Sequence, residues 1–482
     1  MTVPESHKPV TTIKVIPTAT LTKVHQFVRQ NPVTSASFQA TQGENSRGSN
    51  NSRVSIQPTG FEGGLLVGLY DPHLGPQCAE YLQQHLVPIL DESLSTQLDH
   101  SDDDRNQSPC PNPCKIDPTQ VIDTLRSTFR ELDELLLATA TTVAVAQPEN
   151  TEQSNEEETK KTQELIAQVV TGSTALVGFL APHTSAVPVS DVSSDNSVIQ
   201  KHDFYLAQLG DSVAILAGYD EQGQWAAQRL NPPEIYEHSV RYPGSEEYRK
   251  VTSEANQIAL TAEQFLTQHD SNQQQNSSND NHATDSANQS LLTKHGKFLG
   301  LPVTRAFGDL DWKLEQEARF SVATWVEKSL RAKIDQALSG GISGSGHQDN
   351  IATYNFSDPP YVLPDPKVLR FVLETKRVTS GDRTGSGASD QMLILLNHGL
   401  LYTASASTST ADGTETRDGN PYEQALISDF DLSRLVANAL EKGEENCALA
   451  IAKALDQTRK ELGVVDREDG EGHEGSVVVI VL

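Results

Sequence analysis

Basic residues are scarce in this chain of 482 residues: 37 Lys and Arg stand against 65 Asp and Glu, a formal net charge of −28. A nucleic-acid binder needs a basic surface that neutralises phosphates, and docking on anionic lipid needs the same, so the charge argues against both classes. Long apolar runs are missing too. No stretch reaches the roughly 18 consecutive apolar residues of a spanning helix, so the sequence predicts no membrane span. The 4 cysteines are too few for a disulfide scaffold, and no apolar signal-peptide core opens the sequence. Cys110 and Cys114 flank Pro-Asn-Pro in a polar stretch and read as loop thiols of a reducing compartment rather than as metal ligands. Hydrophobic residues reach only 36%. Folded domains average about 45–50% with glycine counted, so a folded core diluted by polar insertions is expected.

Those insertions can be placed. Polar, Asn/Gln/Ser/Asp- or Gly/Ser-rich segments near residues 98–115, 147–161, 268–289, 339–350, 379–389 and 405–420 hold too little apolar surface to offset chain ordering. They punctuate one pattern rather than separate two, which predicts a single domain over 33–482. Residues 1–32 carry Lys8, Lys14, Lys23 and Arg29 against Glu5. They read as a basic N-terminal extension, with a mitochondrial targeting segment as the alternative.

Between the insertions, periodicity predicts the elements. Gly64–Tyr70 is a short buried strand, followed by a helix striped by Ala79, Leu82, Leu86 and Ile89 with Pro76 in its first turn. Asp117-Pro118 caps a second helix striped by Ile122, Leu125, Phe129, Leu132 and Leu136. Ser173–Leu180 and Phe204–Ala217 read as neighbouring strands, with Val368–Leu373, Met392–Leu396 and the closing Val477–Leu482 as others. Helices are expected over Asp431–Glu441 and Asn446–Leu462, the latter ended by Gly463. Strands and paired helices without regular βαβ units indicate an α+β fold, sheets stacked with helices outside.

Strand ends carrying acids are where hard divalent cations find rigid carboxylate ligands. Three stand out: Asp71-Pro-His73-Leu-Gly75, Gly210-Asp211-Ser212 and Gly308-Asp309. Singly, each reads as an ordinary turn.

In order and spacing they say more. Gly68-Leu-Tyr-Asp-Pro-His-Leu-Gly75, Thr171-Gly-Ser-Thr-Ala175, Tyr205–Ser212, Gly300-Leu-Pro-Val-Thr-Arg-Ala-Phe-Gly-Asp309, Pro359–Val368 and Asp390–Leu401 follow one another along the chain. Together they resemble the protein phosphatase 2C (PPM) family of metal-dependent serine/threonine phosphatases, nearest its pyruvate-dehydrogenase phosphatase branch. The resemblance runs from about residue 33 to Leu482. It implies a four-layer α/β/β/α sandwich of two antiparallel sheets flanked by helix pairs. It also implies a site where two Mg²⁺ or Mn²⁺ ions activate a bridging water and a His protonates the leaving oxygen.

By the same resemblance Asp71 is the bridging metal ligand, Pro72 supplies the neighbouring carbonyl, His73 is the general acid and Asp211 belongs to a third, weaker metal site. The family's late aspartates fall on His398 and Glu474, and its early acidic pair falls near Asn51-Ser52. Imidazole brings no negative charge, and Glu474 reaches one methylene further. Four carboxylates at these positions are thereby reduced to one. Arg47 lies at the spacing of the phosphate-clamping Arg, with Arg53 the competing candidate. Arg305 and Asp309 either contribute to the site or pin two strands through an ion pair.

Losing one carboxylate between two dications removes several kcal/mol of charge-assisted contact, and about 1.4 kcal/mol is tenfold in affinity. The expectation is a degenerate, weak or inactive phosphatase that binds a phosphoprotein or regulatory partner, inside the cell, in the cytoplasm or mitochondrion. The alternatives are a working Mg²⁺- or Mn²⁺-dependent enzyme acting on phosphoserine or phosphothreonine, on a mitochondrial dehydrogenase complex as one case, and an assembly subunit whose acidic loops meet a basic partner.

Overall fold

The computed structural model of the protein describes residues 13–17, 52–60, 64–99, 117–146, 156–182, 197–219, 224–231, 301, 303–328, 330–332, 359–378, 392–397, 402–403, 424–425, 428–441 and 476–481. Its elements form an α+β fold, and every strand pair within the sheets is antiparallel where the register is defined. Contacts divide the chain into two units. The first comprises residues 1–132, 174–232 and 365–482, the second residues 133–173 and 233–364.

The first unit holds two sheets. One orders β2 (Arg53–Pro58), β3 (Leu65–His73), β4 (Gly172–Pro182), β5 (Ser197–Leu209) and β9 (Lys367–Val378) side by side. The other orders β1 (Ile13–Pro17), β13 (Ser476–Val481), β10 (Met392–Leu396), β6 (Val213–Tyr219) and β7 (Trp225–Arg229). Val67 and Leu69 of β3, Leu176 of β4 and Leu206 of β5 meet Ala214 of β6, Leu393 and Leu395 of β10 and Val478 of β13 in one buried cluster. Strands buried on both faces read as unbroken apolar runs rather than alternating ones. That is why Leu65-Leu-Val and Met392-Leu-Ile-Leu-Leu396 are buried at every position.

Helices pack on both sheets of this unit. α1 (Gln77–Asp99) packs on β2 and β3. It is tied down by Arg53 Nη2 to Glu80 Oε1 at 2.6 Å and by Gln83 Nε2 donating to the Val54 carbonyl at 2.8 Å. α2 (Pro118–Ala146) starts as the sequence predicts: the Thr119 N–H donates to Asp117 Oδ1 at 2.9 Å, satisfying one of the orphan donors of the first turn. The unit boundary falls inside this helix, after Leu132. No helix of the described residues is long and apolar enough to cross a membrane.

The second unit contains the rest of α2, α3 (Glu156–Val170), β8 (Phe307–Gly308), α4 (Leu310–Lys313) and α5 (Gln316–Ala323). β8 pairs with the first two residues of β4, Gly172 opposite Gly308 and Ser173 opposite Phe307. In the first unit, α6 (Asp429–Glu441) rests on β7 through Arg229 and Asp429, at 2.6 and 3.0 Å, and through Trp225 Nε1 donating to Ser433 Oγ at 2.9 Å. Two short strands, β11 (Tyr402–Thr403) and β12 (Gln424–Ala425), pair with each other.

Two sequence expectations change. The last residues of the segment read as an insertion over 147–161 are helical, because α3 begins at Glu156. Its three leading glutamates lie at the positive end of the helix dipole, Lys161 reaches back to Glu157 at 2.8 Å, and Ile166, Val169 and Val170 are buried. Phe204–Ala217 is not one strand but the end of β5 and most of β6, which belong to different sheets and break at Gly210-Asp211-Ser212. The helix expected over 446–462, the pair Cys110 and Cys114, and the insertions over 268–289, 339–350, 379–389 and 405–420 lie outside the described residues.

Candidate functional site

Two polar residues from distant points of the first unit meet at one carboxylate, that of Asp71. The β2–β3 ladder begins with Arg53 opposite Tyr70, so Ser52, one residue before β2, arrives beside Asp71. Asn397 follows directly on Leu396, the last residue of β10 in the other sheet. Ser52 Oγ donates to Asp71 Oδ1 at 3.0 Å. Asn397 Nδ2 donates to the same oxygen at 3.2 Å and lies 3.1 Å from Ser52 Oγ. An ionised carboxylate only accepts, so the amide must turn its nitrogen towards it. Ser52 and Asn397 are 7% and 1% exposed, so both donors are buried while Asp71 itself is half-buried.

Asp71, Pro72 and His73 are the last three residues of β3. Beyond them Leu74 (φ 62°) and Gly75 (φ 145°) turn the chain into α1, so His73 sits where strand gives way to helix. Pro72 is buried and His73 half-buried.

Asp211 lies in the turn between β5 and β6, and that turn is held from both sides. Gln208 Nε2 donates to the carbonyls of Gly210 (2.9 Å) and Ser212 (3.2 Å). Asn231 Nδ2 donates to the Ser212 carbonyl at 2.7 Å, while its Oδ1 accepts from the Ala214 N–H at 2.8 Å. Gln208 and Asn231 are both buried, so the backbone under Asp211 is fixed by groups that have no water to turn to. Arg53, the other candidate for an anion clamp, is engaged with Glu80.

The second unit holds Arg305 and Asp309. Asp309 is fully buried with φ 53° and ψ 44°, and its N–H donates to the Thr171 carbonyl at 3.3 Å. Arg305 bridges to Leu363 through backbone. The ion pair that anchors this segment is one the sequence did not single out: Lys313 Nζ meets Asp133 Oδ2 at 2.7 Å and the Ala306 carbonyl at 2.8 Å, and the Gly308 N–H donates to Asp133 Oδ1 at 2.9 Å. Burial pushes the Asp133 carboxyl up, against the pull of Lys313. Arg47, His398 and Glu474 lie outside the described residues.

No family model and no curated protein matches the chain. Among solved structures it is similar to a sex determining protein of C. elegans at 13% identity and TM-score 0.37, covering 90% of this chain and 62% of that one. It is also similar to a serine-threonine phosphatase 2C from Toxoplasma gondii at 11% identity and TM-score 0.40, covering 90% and 92%. A third is a phosphatase from a pathogenic strain of Toxoplasma gondii, at 10% identity and TM-score 0.37, covering 90% and 94%. The chain thus spans under two thirds of the length of the C. elegans protein.

The residues around Asp71 can be tested against a pair of divalent cations. Hard cations need several anionic oxygens at once. Among the described residues no group of three or more His, Cys, Asp or Glu is placed to hold a metal ion. Asp71 Oδ1 is met by a hydroxyl and an amide, both neutral donors. The described donor set does not fit two dications. Asn397 escaped the sequence reading because strand ends were searched for acids; a search for any polar residue closing a wholly apolar strand would have found it.

Proposed function

We propose that the chain is a protein phosphatase 2C-like protein with a degenerate two-metal site, acting by holding a phosphoserine- or phosphothreonine-bearing protein or a regulatory partner rather than by efficient hydrolysis. The ordered motifs from Gly68 to Leu401 carry the family part of this reading. One observation carries the rest: Asp71, matched to the bridging ligand, is approached by Ser52 and Asn397, which bring hydrogen-bond donors where a metal centre needs anionic oxygens. Removing even one carboxylate between two dications lowers their occupancy by orders of magnitude.

A second reading is an active Mg²⁺- or Mn²⁺-dependent serine/threonine phosphatase, with a mitochondrial dehydrogenase complex among its substrates. Two features favour it: Asp71 and His73 both stand at the end of β3, and the Asp211 turn is rigidly braced.

The deciding experiment is hydrolysis of p-nitrophenyl phosphate and a phosphothreonine peptide with Mg²⁺ or Mn²⁺, beside Asp71→Asn, with binding of the same peptide measured in parallel. Peptide binding with no turnover in either metal is the expected result. Mn²⁺-dependent turnover abolished by Asp71→Asn would establish the second reading instead, and neither binding nor turnover would remove both.

A further inference from the structure

We propose that Asn397, helped by Ser52, takes the place of a cation at Asp71, so that the folded first unit is independent of divalent metal and the identity of residue 397 decides whether a metal can enter. This rests on the phosphatase-like reading only for the class of ion. The hydrogen bonds themselves are features of the structure.

Asp71 is half-buried, and the sheltered side of such a carboxylate must be met by positive charge or by hydrogen-bond donors. At Asp71 the donors are built in. Oδ1 accepts from Ser52 Oγ at 3.0 Å and Asn397 Nδ2 at 3.2 Å, which uses the two lone pairs of that oxygen. The donors also touch each other at 3.1 Å, closing a three-membered ring of contacts. A cation approaching Oδ1 would have to displace both donors and would take this acceptor from a buried amide. Among the described residues it would find no group of three or more His, Cys, Asp or Glu placed to hold it. The clasp therefore disfavours the metal twice, by occupying the oxygen and by supplying no charge.

Asn397→Asp reverses the sign of the arrangement with almost no change of shape. Residue 397 would then place a second carboxylate about 3 Å from Asp71 Oδ1. Two carboxylates that close repel unless a proton or a cation sits between them. The variant should become metal-dependent where the parent is not.

The test is thermal unfolding of the full chain in EDTA and with about 1 mM Mn²⁺, a concentration in large excess over a site of ordinary affinity. The parent protein should unfold at the same temperature in both. Asn397→Asp should unfold earlier in EDTA and recover by roughly 3 °C or more with Mn²⁺. Asn397→Asp combined with Asp71→Asn should lose that recovery, which separates this site from the acidic surface. A Mn²⁺-dependent rise in the parent, reversed by EDTA, would overturn the proposal, as would a folded Asn397→Asp indifferent to metal. Should Asn397→Asp not fold under any condition, Ser52→Ala serves: it removes one donor without adding charge and must stay metal-independent, whereas a Mn²⁺ response there sinks the idea. Failure of phosphopeptide binding would instead remove the proposed function and leave the clasp untouched.

Discussion

Single side chains in this protein show how burial sets chemistry. Tyr205, on β5, is fully buried, and its hydroxyl is pushed up to about 12, first by burial and then by Asp203, against the lowering influence of Arg370. A raised acid binds its proton more tightly folded than unfolded. Its contribution is therefore present below the ordinary tyrosine value and is lost as pH rises towards 12. Tyr205→Phe should flatten the fall in stability by roughly 1–1.5 kcal/mol between about pH 9 and about pH 11, read from urea midpoints. Equal slopes in parent and variant would contradict the assignment. Tyr70 is shifted in the same direction by burial, partly offset by its 2.7 Å hydrogen bond with Ser55. Its ring lies over Gly68, where any Cβ would collide with the Tyr70 hydroxyl and lie 2.8 Å from Ser55 Oγ.

Elements were legible in proportion to how locally they are determined. Met392–Leu396 matches β10 residue for residue, and the Asp117 cap marks the start of α2, because an apolar run and a capping side chain act within a few residues. α3 was hidden by its composition: its acidic first turn looks like a solvated insertion until helical spacing pairs Lys161 with Glu157. The site divides the same way. Asp71 and Asp211 were found from strand ends, whereas Asn397 reaches Asp71 across 326 positions and Ser52 across 345, a meeting only the packed sheets create. Asp133 and Lys313 are likewise 180 positions apart. That pair fastens α2 to α4 within the second unit with side chains 1% and 3% exposed. Lys313→Met strands a buried carboxylate and should cost about 3–5 kcal/mol in urea unfolding, while Asp133→Leu with Lys313→Met should recover most of it. A single variant as stable as the parent would show that the pair bears no weight.

At the scale of the whole molecule, the α+β architecture was readable from the strand and helix periods, and the net charge of −28 sits on a chain whose described core is apolar and continuous between two sheets. The sequence did not disclose which strands are neighbours. β1 pairs with β13 almost the full length of the chain away, Ile13 opposite Ile480, and nothing local announces such a partnership. The turn that carries Asp211 has the opposite character. Only residues 210–212 separate β5 from β6, yet the two strands lie in different sheets. Closing so short a loop loses little chain entropy, whereas joining β1 to β13 must wait for nearly everything between them. The connectivity thereby predicts an order of assembly, with the corner at Asp211 bringing the first cross-sheet contacts together and the outer strand arriving last. Truncating Leu206 or Val213 should slow refolding, and truncating Val478 should chiefly hasten unfolding, in stopped-flow traces of the same protein. The reverse pattern would place the nucleus elsewhere. On this prediction, a braced corner that looks like part of a binding site is also where the pairing of the two sheets starts in time.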